Sequence, residues 1–164
     1  MAVVPASEDT TDRRGFSGIP LKVESQQGAT ADEVVAVASL GDDRYRVLLS
    51  PGFFRGIAAG DVIVYDPIEK TAELVERGGN IAVQVFFAGL PGDVVESFKE
   101  KVKGAGGRID GELHSLVVLT FPVEVGFTVI ESLVATLPED KVEWEYGNVF
   151  DEHGDPLSWW EGAS

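Results

Sequence analysis

Between residues 81 and 146 the apolar side chains recur with two different rhythms, and the order of those rhythms leaves few topologies open. Residues 81–88 (IAVQVFFA) and 116–121 (LVVLTF) are almost continuously apolar, as expected of central strands covered on at least one face. Residues 108–113 and 141–146 alternate apolar with polar, which places them at sheet edges; in the second, Val142, Trp144 and Tyr146 face one way and Glu143 and Glu145 the other. Val94, Val95, Phe98 and Val102 fall on one side of a helix, with Asp93 as its expected N-cap. Val125, Val129, Ile130, Leu133, Val134 and Leu137 mark a second helix that Pro138 ends. The order strand, helix, strand, strand, helix, strand predicts a ferredoxin-like βαββαβ unit over residues 80–147. Right-handed crossovers give it spatial strand order 4-1-3-2 and put both helices on one face.

The first half reads as short strands and turns. Residues 21–25, 33–40, 45–49, 62–65 and 71–75 are strand candidates, separated by Gly41-Asp42-Asp43, by Ser50-Pro51-Gly52 through Gly60-Asp61, and by Asp66-Pro67. Five short strands predict a small β-barrel or a strongly curved sheet over residues 20–79. Gly78-Gly79 is the seam where this β subdomain meets the second one. The fold expected is thus α+β, with the two halves packed together. Residues 1–19 are expected to be a flexible tail, since their short apolar start followed by acids and arginines does not suit a signal peptide. Residues 148–164 are expected to be an acidic tail whose Trp159 and Trp160 either fold back on the barrel or stay exposed as an adhesive patch.

Composition narrows the function classes. No cysteine is present, which excludes disulfides, thiolate metal sites and cysteine nucleophiles and agrees with a cytoplasmic location. Lys and Arg number 13 against 28 Asp and Glu, a net charge of −15 that disfavours nucleic-acid backbones and anionic membranes and favours basic partners. No stretch approaches the roughly 20 apolar residues that span a bilayer.

Residues 51–62 (PGFFRGIAAGDV) resemble a motif of a bacterial family, the domain of unknown function 4265 family. Asp42-Asp43-Arg44-Tyr45 is similar to the turn before that motif, and Val75-Glu76-Arg77-Gly78-Gly79-Asn80 to the family's centre, where a serine often stands in place of Gly78 or Gly79. Val142-Glu143-Trp144-Glu145-Tyr146-Gly147 is similar to its C-terminal end. The resemblance spans roughly residues 20–150, and it implies no activity, cofactor or catalytic residue.

The chemistry-bearing residues do not assemble into a reactive set. His114 sits in a bend between strands, and His153 lies in an acidic turn, Asp151-Glu152-His153-Gly154-Asp155, with no distant cluster to complete a metal site. Ser115 neighbours His114, but adjacent strand residues point to opposite faces. Gly104-Ala105-Gly106-Gly107 follows a helix, whereas phosphate loops precede one. Phe86, Phe87 and Phe121 lack the basic flanks of an RNA-binding sheet. No metal, cofactor or catalytic residue is therefore assigned.

The expected function is a non-catalytic cytoplasmic binding protein that engages a basic protein partner, with an immunity or antitoxin type of role as one form. Its candidate contact residues are Phe53, Phe54, Asp61, Asn80, Glu143, Glu145, Trp159 and Trp160. For Phe53 and Phe54 the competing expectation is that they close the base of the barrel. The alternatives are a small-molecule sensor with its ligand at the seam, and an enzyme of unfamiliar type. Oligomeric state is not predicted.

Overall fold

The computed structural model describes residues 10–11, 17–25 and 28–162 and shows two antiparallel sheets and two helices. The first sheet is a meander of β1 (Thr10–Thr11), β2 (Ser17–Glu24), β3 (Thr30–Gly41), β4 (Arg44–Val47), β5 (Val62–Asp66) and β6 (Thr71–Glu76), each paired with its neighbour in the chain. The β3–β4 turn holds Asp42 at φ 55° and Asp43 at φ 61°, a left-handed pair that short polar side chains tolerate. Ile19, Leu21, Val35, Val37, Val47, Ile57, Ile63 and Tyr65 form its core.

Two expectations for this half need correction. Most of the tail expected over residues 1–19 lies outside the described residues, but its described parts are strand. Thr10 and Thr11 pair with Gly18 and Ser17, and Ile19 is buried, so the sheet begins before residue 20. The sheet is also not a barrel. Its ends approach where Lys22 N–H donates to the Lys70 carbonyl at 2.9 Å and the Tyr65 hydroxyl donates to the Pro20 carbonyl at 2.8 Å. No ladder joins β2 to β6 among the described residues. Strand β6 stays exposed, and Glu73 and Glu76 along it oppose further pairing.

The second sheet contains β7 (Asn80–Phe87), β8 (Arg108–Leu113), β9 (Leu116–Pro122) and β10 (Val142–Tyr146) in the order β10-β7-β9-β8. Strand β10 lies against β7 in register from Val142 opposite Phe87 to Tyr146 opposite Val83. Helix α1 (Gly92–Gly104) follows β7, and α2 (Phe127–Val134) follows β9. Ile81, Val83, Val85, Val117, Leu119 and Phe121 form one core with Phe98 and Val102 of α1, with Ile130 and Val134 of α2, and with Leu137. Gly107 marks how closely α1 and β9 approach, since a Cβ there would lie 2.6 Å from the Phe121 ring.

Helix ends differ from expectation for local reasons. Pro91 is the N-cap of α1, and Asp93 sits in the first turn, where its charge still suits the helix dipole. Helix α2 is shorter than the apolar spacing predicts, because Gly126 at φ 91° separates it from the turn holding Val125. Leu137 lies beyond its C-terminus yet is buried in the same core. No helix among the described residues is long and apolar enough to cross a membrane.

The face of the second sheet away from the helices is also covered. Ala82, Gln84, Val118 and Thr120 are all buried. The connection 48–61, which leaves the first sheet after β4 and returns to it at β5, covers Gln84, Val118 and Thr120 with Pro51, Gly52 and Ser50, and Gly147 packs on Ala82 and Gln84.

Candidate functional site

The connection 48–61 is an ordered loop closed at its base. Val47 N–H donates to the Asp61 carbonyl at 2.8 Å, and Gly60 N–H donates to the Val47 carbonyl at 2.7 Å. Ordered loops of this length in a compact domain need their backbone groups satisfied from elsewhere. Three carboxylates supply much of that here.

Glu33, in phase with Val35 and Val37 on β3, is fully buried. Its carboxylate accepts the N–H groups of Gly52 at 2.7 Å, Phe53 at 3.1 Å and Phe54 at 2.8 Å. Asp110 on β8 accepts Ser50 N–H at 2.9 Å and the Thr120 hydroxyl at 2.6 Å, and Arg108 also binds it. Ser50 Oγ accepts Ala59 N–H at 3.0 Å. Asp61 accepts Ala58 N–H at 2.9 Å, Gly78 N–H at 2.8 Å and the Arg77 guanidinium at 3.4 Å. Burial pushes the Asp61 pKa up, against the pull of the Gly78 and Ala58 N–H groups and of Arg77. Burial lowers that of Arg77, and the Asp61 charge opposes the shift.

A second chain of contacts ties in the C-terminal segment. Asn80 Nδ2 donates to the Ala59 carbonyl at 2.7 Å, and Asn148 Nδ2 donates to the Asn80 carbonyl at 2.8 Å. Asn148 Oδ1 accepts Ala82 N–H at 2.9 Å. Trp159 Nε1 then donates to the Asn148 carbonyl at 2.8 Å, and the Arg77 guanidinium stands 5.3 Å above the Trp159 ring. Trp160 meets Phe127 edge-on at 5.2 Å, and Phe127 meets Tyr146 at 5.4 Å. The two tryptophans therefore dock on the second sheet and the start of α2, not on the first sheet.

These contacts shape an open cleft of about 870 Å³ along β10. Trp144, Tyr146, Phe150 and Leu157 give it apolar walls, with Arg55 and Arg77 on the side of the loop and Glu145, Asp151 and Glu152 at the rim. Arg55 pairs with Glu145. The sequence candidates divide across this architecture. Glu143 and Glu145 are exposed on β10, and Glu145 lines the cleft. Trp159 and Trp160 are half-buried behind it, Trp159 linked to it through Arg77 and Trp160 through Phe127 and Tyr146. Asn80 is half-buried, with its amide committed to Ala59. Asp61 is fully buried and its carboxylate is consumed by three donors, which removes it from any contact surface. Phe53 and Phe54 are half-buried, and Phe54 packs on the first core.

Arg55, Arg77, Tyr146 and Phe150 complete the cleft and were not singled out from the sequence; the available signal was their place inside the segments 51–62, 75–80 and 142–147 or just beyond them. The acids are unevenly distributed. After Pro122 there are ten, from Glu124 to Glu161, against the single Lys141, so this stretch holds a net −9 of the chain's −15. All ten are exposed. No group of three metal-ligating side chains occurs among the described residues.

Tyr146 makes a pH prediction. Its hydroxyl donates to Glu131 Oε2 at 2.8 Å, and burial followed by that carboxylate raises its pKa well above 10.0. A raised folded-state value means that stability is full below about pH 10 and is lost as the unfolded chain gives up the proton first. Tyr146 should therefore resist ionisation in an ultraviolet titration to alkaline pH. Tyr146→Phe should remove that resistant step and flatten the fall of melting temperature above pH 10. A Tyr146→Phe titration that loses no high-pH step relative to the unsubstituted chain contradicts this.

A family model described as "Domain of unknown function (DUF4265)" matches residues 32–146. No curated protein matches the chain. Among solved structures, one titled "Novel crystal structure of a hypothetical protein from Neisseria gonorrhoeae" is similar in fold, with a TM-score of 0.65 at 14% identity. The similarity covers 80% of this chain and 94% of that one.

Proposed function

The chain belongs to the DUF4265 family, and we propose that it is a non-catalytic cytoplasmic binding protein that engages a basic protein partner through the acidic surface around β10. The carrying observation is the charge distribution. Ten exposed acids follow Pro122 against a single lysine, and Glu145, Asp151 and Glu152 among them line the aromatic cleft, while the buried Glu33, Asp61 and Asp110 are spent on backbone N–H groups, hydroxyls and arginines. Clustered surface charge of one sign speeds encounter with a partner of the other. His114 and His153 are exposed and remote from those carboxylates in the contacts they make, which supports a role in recognition over one in acid–base chemistry. An immunity or antitoxin role is one form of this reading. We read the platform under the cleft as a ferredoxin-like βαββαβ unit, on the strand order β10-β7-β9-β8 and the two helices sharing one core.

Immobilised chain should capture a basic protein from its host's lysate at about 50 mM salt and release it at about 500 mM, as screening of exposed charges requires. A lysate in which no basic protein is enriched at low ionic strength contradicts the reading. One observation favours a small-molecule sensor as a second reading: the cleft volume of about 870 Å³ lies within the range of ligand pockets. Thermal-shift screening against metabolites separates the two, because a ligand held by the folded state alone raises the melting temperature.

A further inference from the structure

We propose that the free edge of β10 receives an extended basic segment of the partner as an added fifth strand of the second sheet. This rests on the reading above and names its mode of contact. Strand β10 is terminal in its sheet, and no strand among the described residues pairs with its outer side. The register fixes which backbone groups point outward. Ala88 N–H donates to the Lys141 carbonyl at 3.0 Å, and Gly147 N–H donates to the Ala82 carbonyl at 2.7 Å. In an antiparallel ladder hydrogen-bonded pairs alternate with non-bonded ones, so Glu143 and Glu145 direct their N–H and C=O groups at β7, as the Lys141 carbonyl and the Gly147 N–H do at its ends. Val142, Trp144 and Tyr146 therefore direct theirs away from the sheet, at an incoming strand.

Side chains set the chemistry of the occupant. Val142, Trp144 and Tyr146 line concavities along this edge, and each packs against the helix-side core. Glu143 and Glu145 face the other way and are exposed, with Arg55 paired to Glu145 at the cleft end of the strand. A strand laid beside β10 thus meets apolar and aromatic surface on one face and carboxylates on the other, so its residues should alternate apolar with Lys or Arg. The surroundings reinforce the sign, with ten exposed acids and one lysine after Pro122. A second copy of this chain fits poorly. Two-fold antiparallel pairing centred on Trp144 would set Glu143 of each copy directly opposite Glu145 of the other, and like charges so placed destabilise the pair.

The probe is an acetylated and amidated eight-residue peptide alternating valine with arginine, titrated into the isotope-labelled full chain at low salt. Paired antiparallel, its valines lie opposite Val142, Trp144 and Tyr146 and aim their N–H groups at β10, while its arginine N–H groups aim at solvent. N-methylation of the valines should weaken binding at least about tenfold, and N-methylation of the arginines should leave it within about threefold. The unmodified peptide should also slow hydrogen exchange at the amides of Val142, Trp144 and Tyr146. If both methylated peptides bind like the parent and those amides exchange as before, strand addition is wrong while the acidic-surface reading stands. If no peptide binds at millimolar concentration, both are wrong.

Discussion

Glu33→Ala is expected to be among the most damaging single substitutions in this chain, at about 4 kcal/mol of stability. The carboxylate is buried beside Val35 and Val37, and it is the acceptor for the N–H groups of Gly52, Phe53 and Phe54. Each buried donor left without an acceptor costs about 1–3 kcal/mol, and partial entry of water keeps the sum below the additive limit. For a chain of this size that corresponds to a fall in melting temperature of roughly 8–16 °C. Glu33→Gln keeps the shape and one acceptor oxygen but turns an amide N–H₂ toward backbone donors, so about half the loss is expected. Thermal or denaturant unfolding of the three proteins checks the order wild type, Gln, Ala. A shift below about 2 °C for the alanine variant would show that the loop does not depend on this carboxylate. The loop also carries Arg55 to Glu145, so the same variant should lose the cleft wall before it loses the second sheet.

How far residues announce their roles depends on whether the role is periodic. The second sheet is legible because burial there follows the spacing of apolar side chains: Ile81, Val83 and Val85 meet Phe98, Val102 and Ile130 as two rhythms predict. The pairing of residues 142–146 with 83–87 follows from the same pattern. The first sheet is legible as strands but not as a closed or open surface, because closure depends on hydrogen bonds between its first and last strands. Among the described residues, the backbone bond from Lys22 of β2 to Lys70 in the turn before β6 and the hydroxyl bond from Tyr65 of β5 to Pro20 of β2 bring the ends together without forming a ladder. The short α2 turns on the backbone angle of one glycine, Gly126, which no spacing reveals.

The buried acids show the limit most clearly. Asp61 reads as a turn residue and a surface contact, because an aspartate after a glycine is both in most chains. Its burial follows from Arg77 and the Ala58 and Gly78 N–H groups converging on it from separate parts of the sequence. Glu33 did leave a trace: it occupies a core position in the alternation of β3. A charge in phase with buried valines signals a carboxylate with an internal task, and a strand assignment alone passes over it. The candidate cleft was legible in part. Glu145 and the aromatic residues of β10 lie in one alternating strand, but Arg55, Arg77 and Phe150 reach it only through the fold. The segments that resemble the family are mostly accounted for by assembly: Gly52, Asp61, Arg77, Gly78 and Asn80 hold the loop to the sheet.

Gly78→Ala is expected to cost about 3 kcal/mol, while Gly79→Ala, one residue on, should cost about 1 kcal/mol. A Cβ on Gly78 would stand 2.3 Å from the Gly60 carbonyl carbon, 2.5 Å from its oxygen and 2.6 Å from its Cα. All three are backbone atoms, so no side chain can swing aside. The loop must lift from the seam, straining Gly78 N–H to Asp61 and Asn80 to Ala59. A methyl group added at Gly79 would meet nothing within 4 Å, and the substitution carries only the penalty of a left-handed backbone at φ 84°. Denaturant unfolding of the two variants should separate them by roughly 2 kcal/mol, a difference of roughly 4–8 °C in melting temperature. Equal losses would mean that the backbone contact between Gly60 and Gly78 does not limit the seam.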